Sequence, residues 1–111
     1  FDNKCFGFSI KQDDTKNVQF ICTKCGMLFR KMKSGYWKEI QNTRNHVKGY
    51  NVIIVNKKQY SRAKLILFAF NKINLKDKNK NIYHKNMNKL DCSLDNLTLD
   101  VPPKTNFIQQ L

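Results

Sequence analysis

A formal net charge of +13 sets the terms on which this chain can fold. Lys and Arg number 21 against 8 Asp and Glu in 111 residues. A compact state must hold together against that self-repulsion, and a polyanion relieves it. Phosphate backbones do so with release of condensed counterions, which makes nucleic acid, RNA or DNA, the expected partner. An anionic membrane is the other candidate polyanion. The sequence has no long basic amphipathic helix and no apolar run of about 18 residues, so no membrane partner is expected. Hydrophobic residues make up 41%, with eight Phe, four Tyr and one Trp, enough for one modest core. That content is not the composition of a disordered chain, and the length fits a single domain over residues 1–111.

The cations are unevenly drawn, with 18 Lys and only 3 Arg, and Asn is as frequent as 14. Lys, Asn, Ile, Phe and Tyr share AT-rich codons, which suits an organelle such as a mitochondrion, a phage or a giant virus. No secretory signal is visible. The four cysteines, Cys5, Cys22, Cys25 and Cys92, are unevenly spaced, so an intracellular, reducing compartment is expected. Phe1 in place of an initiator Met is read as the mark of a processed product or an excised domain.

Phe6, Phe8 and Ile10 alternate with small residues, which predicts a strand. Val18, Phe20 and Cys22 alternate likewise, Thr23-Lys24-Cys25-Gly26 supplies a turn, and Met27-Leu28-Phe29 returns, so Val18–Met32 reads as a hairpin. Tyr36–Ile40 reads as a further strand and Gln41–Lys48 as a polar loop. Val52–Val55 is the clearest strand, Asn56-Lys57-Lys58 turns the chain, and Gln59–Arg62 runs back. From about Ala63 the apolar period changes: Leu65, Ile66, Phe68, Ala69 and Phe70 predict a short helix ending near Asn71. Leu75–Asn81 is a lysine-rich loop. Ile82 opens a short extended piece, and Asn86–Asn88 turn it. Leu94, Leu97 and Leu99 supply apolar anchors. Pro102-Pro103 breaks the chain before a final helix over Lys104–Leu111.

Gly49-Tyr50, Val52–Val55, Asn56-Lys57-Lys58 and Lys64-Leu65-Ile66 through Phe68-Ala69-Phe70, followed by Ile82–Leu97, resemble the HNH homing endonucleases of phages and organelles. The Phe20–Phe29 hairpin is similar to a module such enzymes often carry. The likeness covers roughly residues 18–106. It implies an α+β fold: a β-hairpin module over 1–50, then an HNH-like β-hairpin, helix and degenerate ββα finger over 51–111. It places His84 at the general-base position. It puts Asn88 and Asn96 on the motif's loop, which Asn96 would pin by backbone hydrogen bonds. A single divalent ion such as Mg²⁺ is the family's cofactor.

Three positions depart from that pattern. Tyr83 stands where a metal ligand precedes the histidine, and a neutral phenol is a poor ligand for Mg²⁺. Met87 stands where a glycine would permit a left-handed turn. Ala63 replaces a histidine of the helix. The second metal ligand would fall near Thr105 or Asn106. The resemblance therefore implies a nucleic-acid-binding domain that has lost catalysis and needs no cofactor, with an active metal-dependent nuclease as the alternative. A component of an organellar ribosome or other ribonucleoprotein, in contact with its proteins, is a third role compatible with the composition.

Cys22-Thr23-Lys24-Cys25-Gly26 has the form of half a zinc knuckle. A structural zinc would need Cys5, Cys92 or a histidine to complete four ligands, and the alternative is two cysteines in a hairpin turn. Two cationic clusters are the expected phosphate contacts. Lys31, Lys33, Lys38, Arg44 and Lys48 lie among Phe29, Tyr36 and Trp37, a mixture suited to stacking and phosphate contact. Lys76, Lys78, Lys80, Lys85 and Lys89 flank His84.

Overall fold

The computed structural model describes residues 5–11, 17–77 and 81–100. The fold is α+β. Four antiparallel strands, β1 (Cys5–Lys11), β2 (Asn17–Thr23), β3 (Leu28–Lys31) and β4 (Trp37–Glu39), form a meander in sequence order. A second hairpin pairs β5 (Val52–Val55) with β6 (Lys58–Ser61), and α1 (Arg62–Ala69) follows at once. A two-stranded ribbon pairs β7 (Tyr83–His84) with β8 (Leu97–Thr98), and a 3₁₀ turn at Leu94–Asn96 leads into β8. Lys78, Lys80, Pro102-Pro103, Thr105, Asn106 and the expected helix over Lys104–Leu111 lie outside the described residues. Among the described residues, no helix is long and apolar enough to cross a membrane.

The alternation in β2 is the alternation of burial: Val18, Phe20 and Cys22 face the core while Asn17 and Gln19 face water. Phe8 stacks on Phe20 with ring centroids 5.1 Å apart and meets Phe68 edge-on at 5.7 Å, so the first sheet packs on α1 through aromatic pairs. Such pairs contribute about 0.5–1.5 kcal/mol each beyond their buried area. The β5–β6 turn puts Asn56 and Lys57 at φ of 51° and 66°, the mirror-image turn whose twist suits a two-residue hairpin.

Helix α1 begins one residue earlier than the apolar period suggests, because Ser61 caps it: the Ser61 Oγ accepts from the Lys64 N–H at 3.1 Å. It ends where Asn71 takes φ of 60°, with Lys72 N–H bonded to Leu67 O at 2.8 Å and Asn71 N–H to Phe68 O at 3.1 Å. That pair of bonds satisfies two carbonyls at the helix end. Leu65, Ile66 and Leu67 are all buried, so the helix is covered on more than one side and joins the two halves of the chain in one core. Each such side chain contributes about 1.5–3 kcal/mol of transfer free energy.

Arg62, expected at the end of a strand, is the buried residue at the start of α1, 2% exposed. Its Nε donates to Gly26 O at 2.9 Å, and its Nη1 donates to Ile40 O at 2.9 Å and Asn51 Oδ1 at 3.2 Å. Asn51, itself buried, also donates to Thr43 O at 2.8 Å. Gly26 lies at φ of 94°, and a Cβ there would sit 2.9 Å from the carbonyl carbon of Cys92. The β2–β3 turn therefore presses backbone to backbone against the loop before β8, with Leu94 N–H donating to Lys24 O at 2.7 Å.

Candidate nucleic-acid interface

The loop between β7 and the 3₁₀ turn is built from asparagines. Asn96 Oδ1 accepts from Asn86 N–H at 2.9 Å, Asn96 Nδ2 donates to Asp91 O at 2.8 Å, and Asn96 O accepts from Lys85 N–H at 2.8 Å. One buried side chain thus fixes both ends of the loop. Asn86 Oδ1 accepts from Asn88 N–H at 2.9 Å and Asn88 Oδ1 from Leu90 N–H at 3.0 Å, local turns that Asn side chains favour. Met87 takes φ of 64° between them, the left-handed conformation its glycine-like place in the loop demands.

Two bonds tie this loop to the segment before β5. Lys89 Nζ donates to Lys48 O at 2.9 Å, and Asn42 Nδ2 donates to Leu90 O. Asn45 holds its own segment to the strand, accepting from Val52 N–H at 2.7 Å and donating to Val52 O at 3.0 Å. His46 stacks on Tyr50, with ring centroids 4.2 Å apart.

A cleft of about 410 Å³ opens between these loops and α1. Its walls carry Lys48, Lys64, Lys89, Tyr50, Asn81 and His84. None of its described lining residues is Asp or Glu. His84 is half-buried, and its Nε2 is buried without a hydrogen-bond partner among the described residues. Burial is the main reason its pKa lies below the ordinary 6.5, with nearby Lys89 pushing the same way and Asp91 opposing. That direction favours the neutral imidazole at pH 7. The Asp91 carboxylate is turned to its own loop: Oδ1 accepts from Ser93 Oγ at 2.7 Å and Oδ2 from Asn86 Nδ2 at 2.7 Å. Those Ser93 bonds, first, hold its pKa below the usual carboxylate value.

The two expected cationic clusters do not assemble as they stand in the sequence. Arg44, Lys48 and Lys89 come together, Arg44 and Lys89 lining a second cleft of about 430 Å³ beside the first. Lys85 follows His84 and is exposed, and Lys76 is exposed in the turn after α1. Lys31, Lys33 and Lys38 sit on the β3–β4 hairpin instead and line neither cleft. Lys31 Nζ lies 5.9 Å from the centre of the Trp37 ring, and Lys38 pairs across the strands with Arg30. Lys64 was not among the expected contacts. It is the single polar residue from Ala63 to Phe70, and that interruption was the available signal. Its Nζ donates to Asp77 O at 3.1 Å.

Among the described residues no full ligand set for a divalent ion comes together, and the expected ligand position near Thr105 or Asn106 lies outside them. Tyr83 offers a phenol where a carboxylate or amide is wanted, and among the described residues no three of His, Cys, Asp and Glu gather. The cysteine pair is divided between two environments. Cys22 is fully buried in the core face of β2, whereas Cys25 is exposed in the turn, its Sγ 2.9 Å from Thr23 Oγ1. No third ligand joins them among the described residues. Cys92 lines the His84 cleft, and burial pushes its thiol up to about 11, so it is neither a thiolate nucleophile nor a ready metal ligand at neutral pH.

No family model matches this chain, and neither the curated proteins nor the solved structures yield a match to it.

Proposed function

We propose that this chain is a basic nucleic-acid-binding domain of HNH-like descent that holds phosphates in the His84 cleft and does not cut them. The observation that carries the reading is the lining of that cleft: three lysines, a neutral imidazole and amide and hydroxyl groups, with no carboxylate among its described residues. Such a wall attracts a phosphodiester and offers hydrogen bonds to its oxygens. A catalytic HNH site needs hard oxygen ligands for its ion, and Tyr83 does not supply one. The partner is DNA or structured RNA, engaged through the backbone.

Charge removal at the cleft tests this. Lys48→Gln with Lys89→Gln should weaken binding to a mixed-sequence nucleic acid, by about tenfold or more at moderate salt. Lys31→Gln with Lys33→Gln, on the β3–β4 hairpin, should weaken it less. The reverse order would move the interface to the first sheet and refute the assignment.

A second reading, a living metal-dependent nuclease, is favoured by one observation. The Nε2 of His84 has no hydrogen-bond partner among the described residues, and its lowered pKa favours the neutral form that a general base requires. Plasmid incubated with Mg²⁺ or Mn²⁺ decides between the two. Metal-dependent nicking that disappears in His84→Ala would establish the nuclease. Intact plasmid with tight binding supports the non-catalytic domain.

A further inference from the structure

The most exposed apolar side chains of the described residues stand beside the basic cleft. Val47 is 97% exposed and Met87 81%. Val47 is on the turn His46–Gly49, and Met87 is on the β7–3₁₀ loop. Lys89 Nζ, bonded to Lys48 O, fastens one loop to the other. Arg44, Gly49, Met87, Asn88 and Lys89 line the second cleft, so Met87 lies between cations from both loops.

Met87 bears two costs that the fold does not repay. Its backbone is left-handed, which disfavours any side chain with a Cβ. Its thioether chain stands in water. Asparagine tolerates the same backbone and would remove the apolar exposure. A partner that takes the side chain out of water would offset both costs. A strained, exposed apolar residue ringed by cations matches the wedge chemistry of proteins that open a base step from the minor groove.

We propose that Met87 is an apolar wedge, with Val47 as a flanking contact, that enters the minor groove of duplex DNA and unstacks one base step while Arg44, Lys48 and Lys89 hold the flanking phosphates. This rests on the reading that the cleft binds nucleic-acid backbone. Duplex DNA is the occupant because its minor groove, about 6 Å wide, grips a single unbranched side chain. The minor groove of duplex RNA is wide and shallow and gives such a wedge nothing to lever against.

The experiment uses the full chain and a short DNA duplex carrying 2-aminopurine at a flexible TA step, with dyes at the two ends. Saturating protein should raise 2-aminopurine fluorescence about twofold or more and bring the ends closer, as a wedge unstacks and kinks the step. Met87→Leu should keep both signals. Met87→Gly, which suits the left-handed backbone, should lose them and retain the salt dependence of binding, because no cation is removed. Binding that is steeply salt-dependent, with both signals silent, overturns the wedge and leaves the phosphate cleft standing. Signals retained in Met87→Gly, or given by duplex RNA alone, overturn it too. No binding to any nucleic acid overturns the cleft and the wedge together.

Discussion

Arg62 Nε donates to the Gly26 carbonyl at 2.9 Å, across 36 positions of sequence. The bond joins the N-terminus of α1 to the β2–β3 turn, and the same guanidinium holds Ile40 O and Asn51 Oδ1. Arg62→Met keeps much of the side-chain volume and leaves three acceptors without their donor. Each loss costs about 1–3 kcal/mol when the group stays dry. The variant should lose about 3 kcal/mol or more of unfolding free energy in a urea titration. A change below about 1 kcal/mol would mean that water reaches these carbonyls.

Met87 predicts a change of the opposite sign. Its φ of 64° strains a side chain that the fold barely covers. Relief of that strain, less the backbone entropy of glycine, should make Met87→Gly more stable by about 0.5–1 kcal/mol. A thermal melt reads this directly. A destabilised variant would show that the thioether packs in solution.

Acid should weaken the fold in two windows. Burial lowers the folded pKa of His84 below the ordinary 6.5. The unfolded chain therefore binds its proton first, and the stability held above pH 6.5 is lost as pH falls from that value through the folded pKa. Asp91 also has a lowered pKa, through its bonds from Ser93 and Asn86, so its contribution is lost only below the ordinary 3.8. Urea midpoints from pH 7.5 to 5 should fall in the native chain and flatten in His84→Gln. Equal slopes in both would place the upper titration on another group.

The cysteines should react in an order set by burial. Cys25 is exposed, while Cys22 and Cys92 are buried. Alkylation of the native protein followed by peptide mapping should mark Cys25 rapidly and spare Cys22 and Cys92 until denaturant is added. Early modification of Cys92 would show that the His84 cleft opens.

The strands and helix of the core were legible because their signals are local. Val18, Phe20 and Cys22 alternate in sequence and in burial, and Val52–Val55 is a strand over the bounds its β-branched run predicts. The turn at Asn86–Asn88 also follows from what asparagine side chains do. The bracing of that loop by Asn96 is implied only by the resemblance, and the bonds from Asn86 N–H and to Asp91 O provide it. Arg62 was not legible. Its burial depends on acceptors at Gly26, Ile40 and Asn51, and no local pattern announces partners so far away. The same holds for the cleft. Arg44, Lys48 and Lys89 meet because Lys89 reaches back to Lys48 O, 41 positions earlier, whereas neighbours in sequence such as Lys31 and Lys33 belong to another surface. Proximity along the chain overstated which cations share a surface.

The salt dependence of nucleic-acid affinity tests the central claim most directly. Fluorescence anisotropy with a labelled duplex, repeated across a range of KCl concentrations, gives the slope of log affinity against log salt. A cleft that neutralises three or more phosphates predicts a slope of about −2.7 or steeper. An affinity that stays level as salt rises, or no binding at low salt, would contradict the account.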